Sequence, residues 1–196
     1  MRLKILIQGH KASKKSTTAK ALAGHGFNVR GRYLREDAFP PEFIERYRKG
    51  KSIPSHEMAG IAEKDVEEYD GEESPNVLQD TFAYIRNLAR LLLEPERDEE
   101  LIERFYNICR KLPKPEHVFF FDLDYDERVR LMNKRIGGEH DKAKQTDRET
   151  FNKEYTEKFN AITRNLTQEF FPKTIVLDVT GLETEEIVEK ILDMIK

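Results

Sequence analysis

Five short apolar segments, each followed by a stretch with helical character, constrain the fold of this chain more than any other feature. They lie at residues 3–8, 27–32, 75–80, 117–122 and 174–179. The fourth, His117–Asp122, is continuously apolar at its centre, which is typical of a strand buried on both faces of a parallel sheet. Strands that alternate with helices place those helices on both sides of such a sheet. The sequence therefore predicts an α/β protein with a parallel sheet.

Proline, glycine and capping residues mark the ends of the predicted helices. Gly24 and Gly26 end a helix that begins near Lys15. Asp124 has capping-box spacing with Glu127, which predicts a helix over 125–136. Pro40-Pro41 is expected to open a further helical stretch, and other helices are expected to cover residues 84–92, 98–112, 147–170 and 183–195.

Residues 50–74 are the least structured part of the chain by composition. They contain Lys-Ser-Ile-Pro-Ser-His and an acidic run from Glu63 to Glu73. The segment is either a solvated surface helix with a loop or a mobile insertion that covers a substrate. The length of 196 residues suits one domain spanning 1–196.

Composition excludes several classes of protein. The 34 basic and 37 acidic residues give a net charge of −3, which argues against a partner that is a nucleic-acid polymer. The sequence has no apolar run of membrane-spanning length, so no membrane partner is expected and a cytoplasmic location is favoured. A lone Cys109 excludes a disulfide framework, and the five histidines have no metal-ligand spacing.

The segment after the first strand resembles a phosphate-binding loop, whose template is Gly, four residues, Gly-Lys, then Ser or Thr. Gly9, Lys15 and Ser16 fit this template, and a strand precedes the segment while a helix follows it. In such a loop the backbone amides surround phosphates, a lysine reaches the terminal phosphates and a hydroxyl holds Mg²⁺. The predicted phosphate-binding residues are Gly9, His10, Lys11, Ala12, Ser13, Lys14, Lys15, Ser16 and Thr17, with Ser16 as the Mg²⁺ ligand. The alternative is a basic surface turn.

Lys14 departs from the template because it stands where the second glycine is expected. A side chain costs about 1–2 kcal/mol where the backbone needs a positive φ. It either crowds the bound phosphate or attracts the same anion as Lys15 through its charge. His10 either contacts phosphate or is an exposed turn residue.

Other segments extend this pattern beyond the loop. Arg35-Glu36-Asp37 follows the second strand, and Asp80-Thr81 ends the third. Phe120–Leu123 closes the fourth strand, and Lys134–Gly137 is the basic end of the next helix. Together with Ile5–Lys20, these segments resemble the thymidylate kinase branch of the P-loop nucleoside and nucleotide kinases.

The resemblance implies a three-layer, doubly wound, five-stranded α/β fold that uses ATP and Mg²⁺ to phosphorylate a nucleotide or a nucleoside. It also implies a phosphate lid at 137–147. The family carries Arg-Glu-Pro where this chain has Arg35-Glu36-Asp37, and Asp-Arg where it has Asp80-Thr81. The arginine that would hold the phosphate of the acceptor is therefore absent at Thr81. Relatives with this fold are often homodimers, although no sequence feature requires a dimer here.

The predicted catalytic residues are Lys15, Asp80 and Arg135, because ligands of open α/β sheets bind beyond the carboxyl ends of the strands. Lys15 binds β- and γ-phosphate oxygens, and Asp80 orients an acceptor hydroxyl or a Mg²⁺-bound water. Arg135 closes over the transferring group. The alternative for Asp80 is that it ends its strand by bonding local backbone.

The predicted substrate-binding residues are Arg32, Arg35 and Glu36. The two arginines would hold an acceptor anion in place of the missing arginine, and Glu36 would orient the acceptor. A surface ion pair between Arg35 and Glu36 is the alternative.

These residues and motifs support three functions. The first is ATP-dependent phosphoryl transfer to a nucleotide, a nucleoside or a similar small molecule. The second is a nucleotide- or anion-binding protein that has lost transfer activity. The third is a kinase of a non-nucleotide metabolite.

Overall fold

The computed structural model describes residues 3–35, 39–48, 54–69, 76–137 and 145–196. In these residues, five parallel strands form one sheet in the order β2-β3-β1-β4-β5. The strands are β1 (Leu3–Gly9), β2 (Asn28–Arg30), β3 (Val77–Asp80), β4 (His117–Asp122) and β5 (Ile175–Asp178). Since every pairing is parallel and helices connect the strands, the predicted doubly wound architecture is confirmed.

The helices agree with most of the predicted boundaries. They are α1 (Lys15–Ala23), α2 (Pro41–Arg48), α3 (Ser55–Glu67), α4 (Ala83–Leu91), α5 (Glu99–Lys111), α6 (Tyr125–Ile136), α7 (Gln145–Arg148), α8 (Lys153–Phe170) and α9 (Thr184–Met194). None of these helices, within the described ranges, has the length and apolar character needed to span a membrane.

Two apolar layers sandwich the sheet. On one face, Ile5 and Ile7 of β1 pack in a cluster with residues of α1 and α9. On the other, Leu6 packs in a cluster with residues of α3, α4, α5 and α8. Because successive side chains of a strand point to opposite faces, β1 is buried on both sides, as its position at the centre of the sheet requires.

The prediction of one long helix over 147–170 is wrong, because a 3-10 turn and an extended residue divide the segment into two helices. After α7, a short 3-10 turn covers Glu149–Phe151, and Asn152 is extended with φ −88° and ψ 106°. The Asn152 side chain accepts a hydrogen bond from the amide of Tyr155 at 3.0 Å. Asn152 therefore caps α8, which is why the helix begins only at Lys153.

The described part of the 50–74 insertion is the helix α3 with one buried side. Ala59 and Ala62 are fully buried, and so is the carboxylate-bearing Asp65. Asp65 accepts hydrogen bonds from the amides of Leu34 and Arg35 at 2.9 and 3.0 Å, and from the Tyr84 hydroxyl at 2.6 Å. This carboxylate fastens the chain that follows β2 to α3 and α4. Mobility of the whole insertion, and the lid at 137–147, stay predictions because both include residues outside the described ranges.

Candidate functional site

The strand register brings the residues that end three strands, Gly9 of β1, Asp80 of β3 and Asp122 of β4, to one edge of the sheet. Ile7 pairs with Asp80, Gly9 with Phe121, and Asp122 with Asp178. Gly9 and Asp80 therefore end neighbouring strands at the carboxyl edge, where open α/β sheets bind ligands.

Gly9 is required by the geometry of the turn that leaves β1. Its φ is +139°, a conformation that L side chains rarely adopt. A Cβ at this position would lie 2.6 Å from the carbonyl oxygen of Phe121 and 3.2 Å from Ser13 Oγ. A glycine is thus needed for the loop to pass close to β4.

The loop between β1 and α1 turns back on itself rather than extending. Ala12 and Lys14 both have positive φ, at +56° and +62°. Within the described part of the chain, the amides of residues 12–17 donate no hydrogen bond. Since the last three of these amides also begin α1, the loop and the helix N-terminus offer a concentrated set of donors to an anion.

Lys15 lies under this loop and is bound to it. Its Nζ donates to the carbonyl of His10 and, at 3.0 Å, to Ser13 Oγ. Burial, followed by the charge of Arg86, holds the pKa of Lys15 well below its usual range, whereas Asp80 acts in the opposite direction. A bound polyphosphate would supply the negative charge that this buried ammonium lacks.

Lys14 takes the left-handed backbone that the template assigns to glycine, but its side chain leaves the loop. The Nζ atom donates to the carbonyl of Leu182 and lies 3.5 Å from Glu127 Oε1. The backbone strain expected from the sequence is therefore present. The ammonium is held toward α6 and the chain before α9, which argues against the alternative in which Lys14 crowds the phosphate. Attraction of the anion by the Lys14 charge stays a prediction.

His10 is buried, so the alternative of an exposed turn residue is wrong. Its ring packs edge-on against Phe159 with 5.2 Å between centroids. Burial and the neighbouring charge of Arg128 hold the pKa of His10 well below its usual range, so the ring is neutral at pH 7. His10 thus joins the loop to α8, and its backbone carbonyl anchors Lys15.

A cavity of about 290 Å³ opens over the loop. It is lined by Lys11, Ala12, Ser13, Lys14, Lys15, Ser16, Thr17, Arg32, Asp80, Thr81, Arg86, Leu131 and Arg135. The three residues predicted to be catalytic, which come from three different elements, therefore border the same space. The wall combines loop amides, several cationic groups and one carboxylate, an arrangement that suits a multiply charged anion.

Asp80 faces this cavity at the end of β3. Its contact within the described residues is with the hydroxyl of Thr81, at 3.4 Å. The structure describes no hydrogen bond from local backbone to the carboxylate, as the alternative interpretation of Asp80 would require. Thr81 itself has φ +75°, which is unusual for a β-branched residue, and it is almost fully buried.

The predicted substrate-binding residues separate in space. Arg32 lines the cavity, whereas Arg35 does not. The guanidinium of Arg35 forms ion pairs with Glu68 and, at 3.6 Å, with Asp65. The predicted partner Glu36 lies outside the described residues. Arg35 thus has partners on α3 and just beyond it, other than the one expected from the sequence.

Arg86 lines the cavity and the charge of Arg128 acts on His10 and Lys15, although neither arginine was predicted from the sequence. Arg86 lines the cavity from the first turns of α4. Arg128 is almost fully buried at the start of α6 and donates to the carbonyl of Leu123 at 2.8 Å. Burial lowers the pKa of Arg128 to about 10. A usable signal for Arg86 was its position early in the helix that follows the strand bearing Asp80, since such a helix begins at the same sheet edge.

Two carboxylates near the site, those of Asp122 and Asp147, connect neighbouring elements through hydrogen bonds. Asp122 accepts hydrogen bonds from Asn160 at 2.7 Å and from Arg164 at 3.2 Å, which fixes α8 to the end of β4. Asp147 of α7 accepts from Lys11 Nζ at 2.8 Å. Burial lowers the pKa of Lys11 to about 8, against the opposing effect of Asp147. Asp122 is therefore structural, and Lys11 ties the loop to Asp147 at the end of the predicted lid.

This combination of sheet order and phosphate loop defines the fold of the P-loop nucleoside and nucleotide kinases. A solved thymidylate kinase from Candida albicans is similar to this chain with a TM-score of 0.67 and 18% identity, covering 99% of this chain and 91% of that one. A solved deoxyadenosine kinase from M. mycoides with bound dATP has a TM-score of 0.64 and 18% identity, covering 97% and 98%. No known protein-family profile and no curated protein sequence matches the chain. At these identities the similarity establishes the fold.

Proposed function

We propose that this protein catalyses ATP-dependent phosphoryl transfer to a nucleotide, a nucleoside or a similar small molecule. The observation that carries the proposal is the cavity over the loop, where Lys15, Asp80 and Arg135 meet. Phosphoryl transfer needs positioning and charge neutralisation more than covalent chemistry by the protein. The similar folds of a thymidylate kinase and a deoxyadenosine kinase support the same reaction class.

On the donor side, the amides of residues 12–17 bind the phosphate oxygens of ATP. Lys15 leaves the carbonyl of His10 and binds the terminal phosphates, where its ammonium is stabilised by their negative charge. The hydroxyl of Ser16 lines the cavity and is an oxygen ligand of the kind Mg²⁺ prefers. Magnesium, when bound, neutralises charge on the phosphate oxygens.

On the acceptor side, Asp80 accepts a hydrogen bond from the hydroxyl of a nucleoside or polyol acceptor. It takes up the proton of that hydroxyl as the acceptor oxygen bonds to the γ-phosphorus, while the bond from this phosphorus to the bridging oxygen breaks and ADP leaves. A nucleotide acceptor attacks through a phosphate oxygen, so that reaction needs no proton transfer to Asp80. Arg32 and Arg135 lie across the same space and stabilise the negative charge of the reacting groups. The chemistry requires both sides of the cavity to be occupied together, so ATP consumption depends on the acceptor.

The test is a turnover screen with purified protein, Mg²⁺-ATP and a panel of nucleosides, nucleoside monophosphates and small polyols. We expect ADP to be released with at least one acceptor, and no ADP when that acceptor is omitted. A folded protein that binds ATP but releases no ADP with any acceptor would contradict transfer. That outcome would favour the second function, a nucleotide-binding protein without activity, for which the absence of an arginine at Thr81 is the supporting feature.

A further inference from the structure

Arg86 stands out among the cavity residues because nothing in the phosphate-loop template requires it. It lies on α4, whereas Lys15 and Ser16 belong to the loop and to α1. All three residues line the same cavity, together with Asp80. A guanidinium at this position can donate two parallel hydrogen bonds to phosphate oxygens, which a single ammonium cannot do in the same geometry.

The guanidinium of Arg86 contacts an aromatic ring. Its Cζ lies 5.9 Å from the centroid of the Phe159 ring. Phe159 is fixed in turn by the edge of the His10 ring at 5.2 Å and by the Tyr155 ring, stacked at 6.0 Å. Because His10 is part of the phosphate loop, the same ring positions the loop and Arg86 relative to each other.

Arg86 and Lys15 line the same cavity, and the charge of Arg86 acts on the Lys15 ammonium. After burial, Arg86 is the largest cause that lowers the pKa of Lys15, and it also lowers the pKa of Lys11 and of His10. Cations that share one cavity repel each other, so the arrangement becomes favourable when an anion lies between them.

Thr81 cannot serve the same purpose. Its side chain is short and nearly fully buried, and its hydroxyl lies 3.4 Å from the carbonyl of Ile7. Arg86 lines the cavity from the helix that follows, so the cavity has a cationic residue on α4 although position 81 lacks one.

We propose that Arg86 binds the terminal phosphoryl group of the donor nucleotide together with Lys15. This inference rests on the proposed function, because it assumes that the loop binds a nucleoside triphosphate. ATP carries this terminal phosphoryl group and ADP does not, so the inference predicts that Arg86 contributes more to the binding of ATP than to the binding of ADP.

Arg90 provides a matched control on the same helix. Its Cζ lies 6.0 Å from the Phe159 ring centroid, almost the same distance as that of Arg86. Its Nη2, however, lies 3.5 Å from Glu149 Oε2, and Arg90 does not line the large cavity. The two arginines thus share their helix and their aromatic contact but differ in access to the ligand.

The experiment measures equilibrium binding of a non-hydrolysable ATP analogue and of ADP, each with Mg²⁺, by calorimetry. We expect Arg86→Gln to lower the affinity for the ATP analogue by about 10- to 100-fold, because a charge-assisted hydrogen-bonding group is lost. The affinity for ADP should fall by less than about threefold. Arg90→Gln should change neither by more than about threefold. Arg86→Lys should recover part of the loss, because it restores the charge without the bidentate geometry.

Equal weakening of both ligands by Arg86→Gln, or no weakening of either, would overturn the inference. Binding of both nucleotides by a wild-type protein that shows no acceptor-dependent turnover would contradict the proposed function alone, and the ratio of the two affinities would still decide the role of Arg86. A folded wild-type protein that binds neither nucleotide would overturn both. Unchanged circular dichroism and melting temperature of each variant establish that the fold is retained.

Discussion

The donor and acceptor sides of the cavity depart from the kinase pattern in different ways. On the donor side, Lys14 replaces a glycine, yet the loop keeps the required backbone conformation and the side chain points away. On the acceptor side, Thr81 stands where the resemblance implies an arginine, and Arg32 lines the cavity from a different segment of the chain. A loop that offers backbone amides can keep its conformation when one side chain changes, whereas a site that depends on side chains needs cationic groups at other positions.

Replacing Lys15 by methionine should have the largest effect on the donor side. We expect Lys15→Met to lower kcat for acceptor-dependent ADP release by about 100-fold or more, because a preorganised cation is removed from the terminal phosphates. Lys20→Met, on the exposed face of the same helix α1, should leave kcat unchanged. Equal turnover in both variants would contradict the assignment of the donor side.

Gly9→Ala tests whether the close approach of the loop to β4 requires a glycine at this position. The Cβ would meet the carbonyl oxygen of Phe121 at 2.6 Å in addition to the strain of a positive φ. We expect the free energy of unfolding, measured in urea, to fall by about 2–4 kcal/mol. Gly26→Ala has φ +87° but open space around the added atom, so it should cost only about 1 kcal/mol. Similar losses in the two variants would show that the close approach to β4 is unimportant.

Asp65→Asn tests how the acceptor side is supported. The carboxylate accepts from two backbone amides and from Tyr84, and an amide side chain has one oxygen to serve them. We expect a loss of about 2 kcal/mol in the free energy of unfolding and a higher KM for the acceptor. The control Glu67→Gln, on the same helix but exposed, should change stability by less than about 0.5 kcal/mol. If Asp65→Asn behaves like the control, the buried carboxylate does not support the chain after β2.

The Lys11 ammonium gives the donor side a dependence on pH. Its pKa is about 8 in the folded protein, against an ordinary value of 10.5. The unfolded chain therefore binds more protons between these two values, and the Lys11 contribution to the free energy of unfolding rises with pH across that window. Lys11→Met should lack this rise, which the difference between wild-type and variant urea midpoints at about pH 8 and pH 10 would reveal. Parallel pH profiles would contradict the burial of Lys11.

Lys14→Gly should have the smallest effect. The glycine relieves backbone strain but removes the contacts with Leu182 and Glu127. Since the ammonium is held outside the loop, we expect ATP affinity to change by less than about threefold, which is under ~1 kcal/mol. A rise of about tenfold or more in calorimetry would show that the lysine obstructs the loop.

The sheet, the loop and most helix boundaries could be predicted from the sequence because they depend on local patterns. The apolar run of β4, the glycines that end α1 and the cap at Asp124 all act within a few residues. The break at Asn152 escaped prediction because a single capping side chain interrupted an otherwise helical pattern. Local signals of this kind outweigh helix propensity when the cap is satisfied.

The side-chain content of the site was harder to predict than its backbone. Lys15, Asp80 and Arg135 all line the cavity, and their catalytic roles stay predictions. Lys15 follows the loop after β1, Asp80 ends β3, and Arg135 lies at the end of a helix that begins at the same sheet edge. Arg86, Arg128 and the buried Asp65 were missed because their roles depend on contacts between segments far apart in the chain. Arg35 was expected beside Glu36, but its partners Asp65 and Glu68 could not be inferred without knowing how α3 packs.

The most direct test of the donor site is a titration of ¹⁵N-labelled protein with Mg²⁺ and a non-hydrolysable ATP analogue, followed by amide NMR. We predict that the largest and saturable shifts fall on the amides of residues 12–17, with smaller changes near Arg86 and Asp80. Saturable binding that leaves the amides of residues 12–17 unshifted would contradict the central claim that this loop binds a polyphosphate.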